Sequence, residues 1–173
     1  MASVQFYNLT RDCMSFEDVV THIVAFMKKD PTGEYKLMVG TDSQVHTHNT
    51  RFITGVVIQR IGKGAWACVR KVNVPRQMRA LHERISHETS LTEEVAGLFT
   101  EEIKEQLIAI VLPHIYKGAS FSIEGHIDIG EGKRNKTRVF VNEMVGRIES
   151  LGMEPVIKPE AIVASSYANK YTK

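Results

Sequence analysis

The pattern of apolar residues in this chain of 173 predicts an α/β protein built on a mixed five-stranded sheet flanked by helices. Three observations lead there. Residues 36–74 hold three β-rich runs joined by short turns, which predicts an antiparallel three-strand meander. Beyond it, helical and strand periodicities alternate, so the last two strands arrive through helical crossovers and run parallel. Two apolar runs also end in aspartate, in Val39-Gly-Thr-Asp-Ser-Gln44 and His126-Ile-Asp-Ile-Gly130. Ligands of open α/β sheets collect at the carboxyl ends of central strands, and these two acids mark such an end.

Each element has a local cause. Ser15-Phe-Glu-Asp18 has the form of a capping box, and Phe16, Val20, Ile23, Val24 and Met27 follow at helical spacing. Asp30-Pro-Thr-Gly33 stops that helix. Residues 36–41 read as a buried strand, 45–49 as a polar loop, 51–61 as a second strand and 65–74 as a third, with Gly62-Lys-Gly64 as the turn between them. A long helix carries Leu91, Val95, Leu98, Ile103, Leu107 and Ile110 as one broad apolar stripe, with Pro113 near its end. Residues 119–129 return to strand character. A second helix spans about 135–151, with Phe140, Met144, Ile148 and Leu151 on one face and Gly152 as its stop. Residues 154–158 form a short strand, and the tail from Pro159 is a terminal helix after a loop.

Composition excludes several classes. The hydrophobic fraction of 43% is too high for a disordered chain. No apolar run approaches the roughly 18 residues that cross a bilayer, and the first residues lack a secretory pattern. Cys13 and Cys68 have no C-x-x-C spacing, which predicts reduced thiols and a cytoplasmic location. Charge is unevenly spread. Residues 60–84 hold seven basic side chains, Arg60, Lys63, Arg70, Lys71, Arg76, Arg79 and Arg84, against one acid, Glu83. Such a stretch is either a phosphate-backbone footprint or a solvated face.

Clustered carboxylates at adjacent strand ends cannot all stay charged without cations. Their commonest use is to hold Mg²⁺ or Mn²⁺ against a phosphate. Asp42 and Asp128 fit that use; the structural alternative for each is a strand-end turn. His126 shares a strand face with Asp128 and is either a proton shuttle or a packed core residue. His46 and His48 form an i, i+2 pair in the loop after Asp42, beside the cleft, as a zinc pair or simply solvated. Gly130-Glu-Gly-Lys-Arg lacks the P-loop form, though Lys133 and Arg134 could touch a phosphate backbone. Trp66 and Tyr167 offer base-stacking surfaces or ordinary packing.

Gly40-Thr-Asp-Ser-Gln44 resembles the Thr-Asp-Gly-Ser opening of the ribonuclease H-like superfamily. With His126-Ile-Asp-Ile-Gly130 and the tail from Lys158 to Lys173, nearly the whole chain resembles the YkuK family of predicted ribonuclease H-like nucleases. The resemblance implies one ribonuclease H-like domain over residues 1–173, with 1–33 as a helical extension packed on it. It also implies a metal-dependent nuclease acting on RNA, an RNA–DNA hybrid or DNA, without a membrane partner. The superfamily pattern asks for an Asp on the first strand, a Glu in the helix after the meander, an Asp on the fourth strand and often an acid on a late helix. Asp42 and Asp128 fill the strand positions. Glu94 is the expected helix ligand, flanked by Leu91, Val95 and Leu98, and Glu88 is its rival on the same face. At the late position the chain departs from the pattern: Asn169 stands there, with Glu160 as a possible substitute acid. Ser43, Gln44, Ser165 and Ser166 are expected supports, and Arg70, Lys71, Arg76, Arg79, Arg84 and Lys170 are expected nucleic-acid contacts. The neutral Asn169 leaves an alternative, a nucleic-acid-binding module of the same fold with weak or lost catalysis.

Overall fold

A computed structural model describes residues 4–132 and 136–173. Helix α1 (Phe16–Lys28) starts at the expected capping box: the Ser15 side chain accepts from the Asp18 N–H, and the Asp18 carboxylate accepts from the Ser15 N–H. Its buried residues Val19, Ile23 and Met27 recur every fourth position. Strands β1 (Glu34–Val45), β2 (Thr50–Arg60) and β3 (Ala65–Val74) form the antiparallel meander. Helices α2 (Leu81–Gly97) and α3 (Glu101–Val111) lead to β4 (Ser120–His126); α4 (Val141–Glu149) leads to β5 (Glu154–Val156). A π-helical stretch, Val163–Tyr167, and the short helix α5 (Asn169–Thr172) finish the chain.

The sheet order is β3-β2-β1-β4-β5, with β1 parallel to β4 and β4 parallel to β5. The mixed five-stranded sheet is therefore the one the sequence pattern predicts, with the aspartate-bearing β1 at its centre. One face of β1 sends Leu37 and Val39 into the main core, where they meet Val19, Ile23 and Met27 of α1, Val95 of α2 and Leu107 of α3. Met38 on the opposite face packs with Val57 and Val163 under the terminal segment.

That terminal segment lies close on the sheet because two strand residues lack side chains. A Cβ at Gly40 would fall 2.9 Å from the Ala164 backbone nitrogen, and one at Gly55 would fall 2.8 Å from the Tyr167 ring. Neither gap leaves room for a methyl group, so glycine is required at both positions.

Several elements differ from expectation: the strand expected over 119–129 ends at His126 and leaves Asp128 beyond it, the one expected over 154–158 ends at Val156, and the terminal helix is π-helical before α5. The single long helix carrying Leu91 through Ile110 is two helices, because Thr100 caps α3 by accepting the Ile103 N–H. Both halves face the same core, so the apolar period continues across the break. The helix expected from about 135 becomes α-helical only at Val141, after a 3₁₀ turn over Arg138–Phe140. Strand β1 runs on to Val45, which places Asp42 inside the strand.

Candidate active site

The parallel pairing of β1 with β4 ends at Gly40 opposite His126. Asp42 and Asp128 each lie two residues further on, so the pleat brings them to the same face at the same end of the sheet. Helix α2 crosses that end. Thr92 ties it down, its hydroxyl 2.8 Å from that of Thr41, which in turn lies 2.8 Å from the Thr54 hydroxyl. One turn before Thr92, Glu88 points at the same place. Asp42, Glu88 and Asp128 thus line one cleft of about 480 Å³, together with Ser43, Arg84 and Lys158.

Each acid is held by a different protein donor. Asn169 Nδ2 donates to Asp42 Oδ2 at 2.7 Å. Ser43 Oγ donates to Glu88 Oε1 at 2.5 Å. Asp128 Oδ1 is enclosed without a well-aligned hydrogen-bond donor, and Lys158 Nζ stands 3.1 Å from it as an ion pair. Among the described residues, no three of His, Cys, Asp and Glu stand as a closed metal cage. The three carboxylates share a cleft, each with its own protein partner, and Asp42 and Asp128 also interact with one another.

The electrostatics follow from burial. Glu88 is 7% exposed, and desolvation, reinforced by the nearby charges of Asp42 and Asp128, pushes its carboxyl up to about 8. The Ser43 hydrogen bond and Arg84 oppose that rise. Burial also raises Asp42, with Asp128 adding to the effect and Asn169 working against it. Buried acids that raise one another in this way favour a bound cation over two bare charges. The donor set is all oxygen, with Asp128 Oδ1 met only by the Lys158 ammonium, which suits Mg²⁺ or Mn²⁺.

Several expected residues lie elsewhere. Glu94, the expected helix ligand, is on the outer side of α2 and pairs with Arg70 at 3.1 Å. The buried side of α2 is carried by Ile85, Glu88, Thr89, Thr92, Val95 and Ala96, and Glu94 is a third of a turn away from Val95. Glu88 takes the place in the cleft. Glu160 is exposed and lines a different cavity beside Lys36 and Glu124. His126 is buried with both ring nitrogens engaged: Nδ1 accepts the Val163 N–H at 3.2 Å, so Nε2 carries the proton and donates to Glu124 Oε1 at 3.0 Å. Burial lowers its pKa. These bonds make it an anchor for the terminal segment and leave no nitrogen to shuttle protons.

Of the supports, Gln44 accepts from the Thr172 hydroxyl at 3.4 Å, and His46 Nε2 lies 2.8 Å from the Thr172 carbonyl. Ser165 donates to the Ala161 carbonyl within its own turn, and Ser166 is exposed. The basic residues divide. Arg84 lines the cleft; Arg76 is paired with Glu83; Lys71, Arg79 and Lys170 are exposed. Lys133 and Arg134 lie outside the described residues. Sequence reasoning missed two contributors, the Thr41–Thr92 contact and Lys158. Threonines at helical spacing carry no chemical signal, and Lys158 shows itself only as a lysine just past a short strand.

A family model described as Ribonuclease H-like matches residues 18–173. The chain belongs to the ribonuclease H-like family. It is 42% identical over 171 residues to the uncharacterized protein YkuK of Bacillus subtilis (strain 168), covering 99% of this chain and 98% of that one. No solved structure matches it significantly. In this ribonuclease H-like chain, the acids that line the cleft come from β1 (Asp42), α2 (Glu88) and the stretch just past β4 (Asp128). No helix among the described residues is long and apolar enough to cross a membrane.

Proposed function

We propose that the chain is a divalent-metal-dependent nuclease that hydrolyses phosphodiester bonds in nucleic acid, with RNA or an RNA–DNA hybrid as substrate. The observation that carries this reading is the meeting of three carboxylates, from β1, α2 and the stretch just past β4, in one cleft, with burial and mutual repulsion raising two of them. Asp42, Glu88 and Asp128 would hold Mg²⁺ or Mn²⁺, which when bound supplies an activated water and stabilises charge on the phosphate.

The rest falls to the chain's own side chains. Asn169 fixes the Asp42 carboxylate through Oδ2, and Ser43 fixes Glu88 through Oε1. Glu88 must give up its proton before it can bind a cation, so loading is favoured above about pH 8, where the free carboxyl ionises. Arg84 and Lys136 at the cleft wall place positive charge where a phosphate backbone would enter. Exposed Lys71 on β3 and Arg79 in the β3–α2 connection add positive charge beside the Arg76–Glu83 pair.

Asn169 supports a second reading. It is neutral, and its amide nitrogen rather than its oxygen faces Asp42. A chain with weakened catalysis would still bind nucleic acid. The two readings part in one experiment on end-labelled single-stranded RNA, DNA and RNA–DNA hybrid with Mn²⁺. A nuclease cleaves at least one of them and loses that cleavage as Asp42→Asn. A binding module shifts the same strands in a salt-dependent way and leaves them intact.

A further inference from the structure

Resting on that reading of the cleft as a metal site, we propose that Lys158 is the internal counter-ion of the metal-free protein, which a divalent cation must displace from Asp128. The backbone aims this lysine. The Lys158 N–H donates to the Ile129 carbonyl at 2.8 Å, and the Ile127 N–H donates to the Val156 carbonyl at 2.9 Å. The two bonds straddle Asp128, so the strand leaving β5 is clamped on both sides of the acid, and the ammonium comes to 3.1 Å from Oδ1.

The three acids are not held alike. Asp42 and Glu88 are held by neutral donors, an amide and a hydroxyl, which can keep their bonds while a cation sits on the other carboxylate oxygen. Asp128 is held by a full positive charge on the oxygen that has no other aligned donor. Like charges a few ångströms apart repel, so an ammonium and a divalent ion do not share that oxygen.

The test compares Mn²⁺ binding by titration calorimetry, and melting temperature without metal, for the wild type, Lys158→Met and Lys158→Arg. Lys158→Met removes the competitor and keeps the apolar stem. It is expected to tighten Mn²⁺ binding about two- to fivefold, the range a partly exposed ion pair supplies, and to lower the metal-free melting temperature. Lys158→Arg keeps the charge and is expected to bind Mn²⁺ as the wild type does. Unchanged or weaker binding by Lys158→Met, beside a wild type that binds Mn²⁺ and an Asp42→Asn variant that does not, overturns the counter-ion role and leaves the metal site standing. A wild type that binds neither Mn²⁺ nor Mg²⁺ overturns the metal reading and the counter-ion role together.

Discussion

Two acids at the carboxyl end of β4, buried Glu124 on the strand and half-buried Asp128 two residues beyond it, belong to opposite kinds of environment. Glu124 is 6% exposed and fully partnered: His126 donates to one oxygen and Lys36 Nζ lies 3.2 Å from the other. Four residues on, Asp128 has a single lysine against Oδ1, no other aligned donor on that oxygen, and two further carboxylates lining the same cleft. The first cluster is closed, with its hydrogen bonds spent on pinning Val163 and the terminal segment. The second is left incomplete by protein groups alone. A buried acid whose partners satisfy it serves the fold; one packed against other acids stores repulsion that a cation relieves.

The contrast breaks most sharply at Asp42. Asp42→Asn is expected to abolish Mn²⁺-induced thermal stabilisation and to cut any nuclease activity by at least about a hundredfold, since losing a ligand exceeds the loss of an outer support. Without metal the same variant should melt no lower than the wild type, because it removes a repelling charge. A wild-type Mn²⁺ response in Asp42→Asn would put the open cluster in the same class as the closed one. In the closed cluster the order reverses. Glu124→Ala leaves the buried His126 N–H without its acceptor and is expected to cost about 2–3 kcal/mol in chemical denaturation. Its Mn²⁺ affinity should change far less than its stability. A collapse of metal binding with stability intact would show that the two clusters are one.

Acidity separates them next. Folding raises Glu88 from its ordinary 4.5 to about 8, chiefly through burial. The folded chain therefore keeps a proton that the unfolded chain releases above pH 4.5. That contribution to stability is complete below pH 4.5 and is lost as pH rises through about 8. Metal-free protein is expected to melt several degrees lower at pH 8.5 than at pH 5.5, and Glu88→Gln should flatten the slope. Saturating Mn²⁺ should restore more of the melting temperature at the higher pH, where no proton has to be expelled. Identical slopes in wild type and Glu88→Gln would mean that Glu88 is not the group that titrates.

Much of this was legible beforehand, and the misses have physical causes. Asp42 and Asp128 could be placed because a strand's period of two and a parallel crossover leave few choices for where two strand-end acids go. The break between α2 and α3 was hidden because both helices bury the same stripe, and only the Thr100 cap marks the boundary. The choice of helix acid turned on about a hundred degrees of rotation around α2. Apolar neighbours at 91, 95 and 98 surround Glu94 in sequence, but Glu88 lies on the line through Ile85, Thr92 and Val95 that faces the sheet. A polar ligand buried on an apolar face is invisible to a rule that reads polar positions as outward. Lys158 was hidden for a different reason: its role depends on the pairing of β5 with β4, which sequence spacing does not reveal.

Glu94 provides the smallest effect and the finest check on that rotation. Its side chain is half exposed, and its partner Arg70 reaches it from β3, on the outer side of α2. An ion pair so placed contributes at most about 1 kcal/mol, because water screens it and two long side chains lose freedom to make it. Glu94→Gln is therefore expected to lower stability by less than about 1 kcal/mol, to do so less at high salt, and to leave Mn²⁺ binding unchanged. Glu88→Gln, six residues earlier on the same helix, should weaken Mn²⁺ binding strongly. If the two variants exchanged behaviours, α2 would have to be turned by more than a quarter of its circumference. Thr92 would then leave its bond to Thr41, and the buried stripe from Ile85 to Val95 would swing toward solvent. The packing of α2 on the sheet and the identity of the third carboxylate thus stand on the same rotation, and titrating these two variants tests both at once.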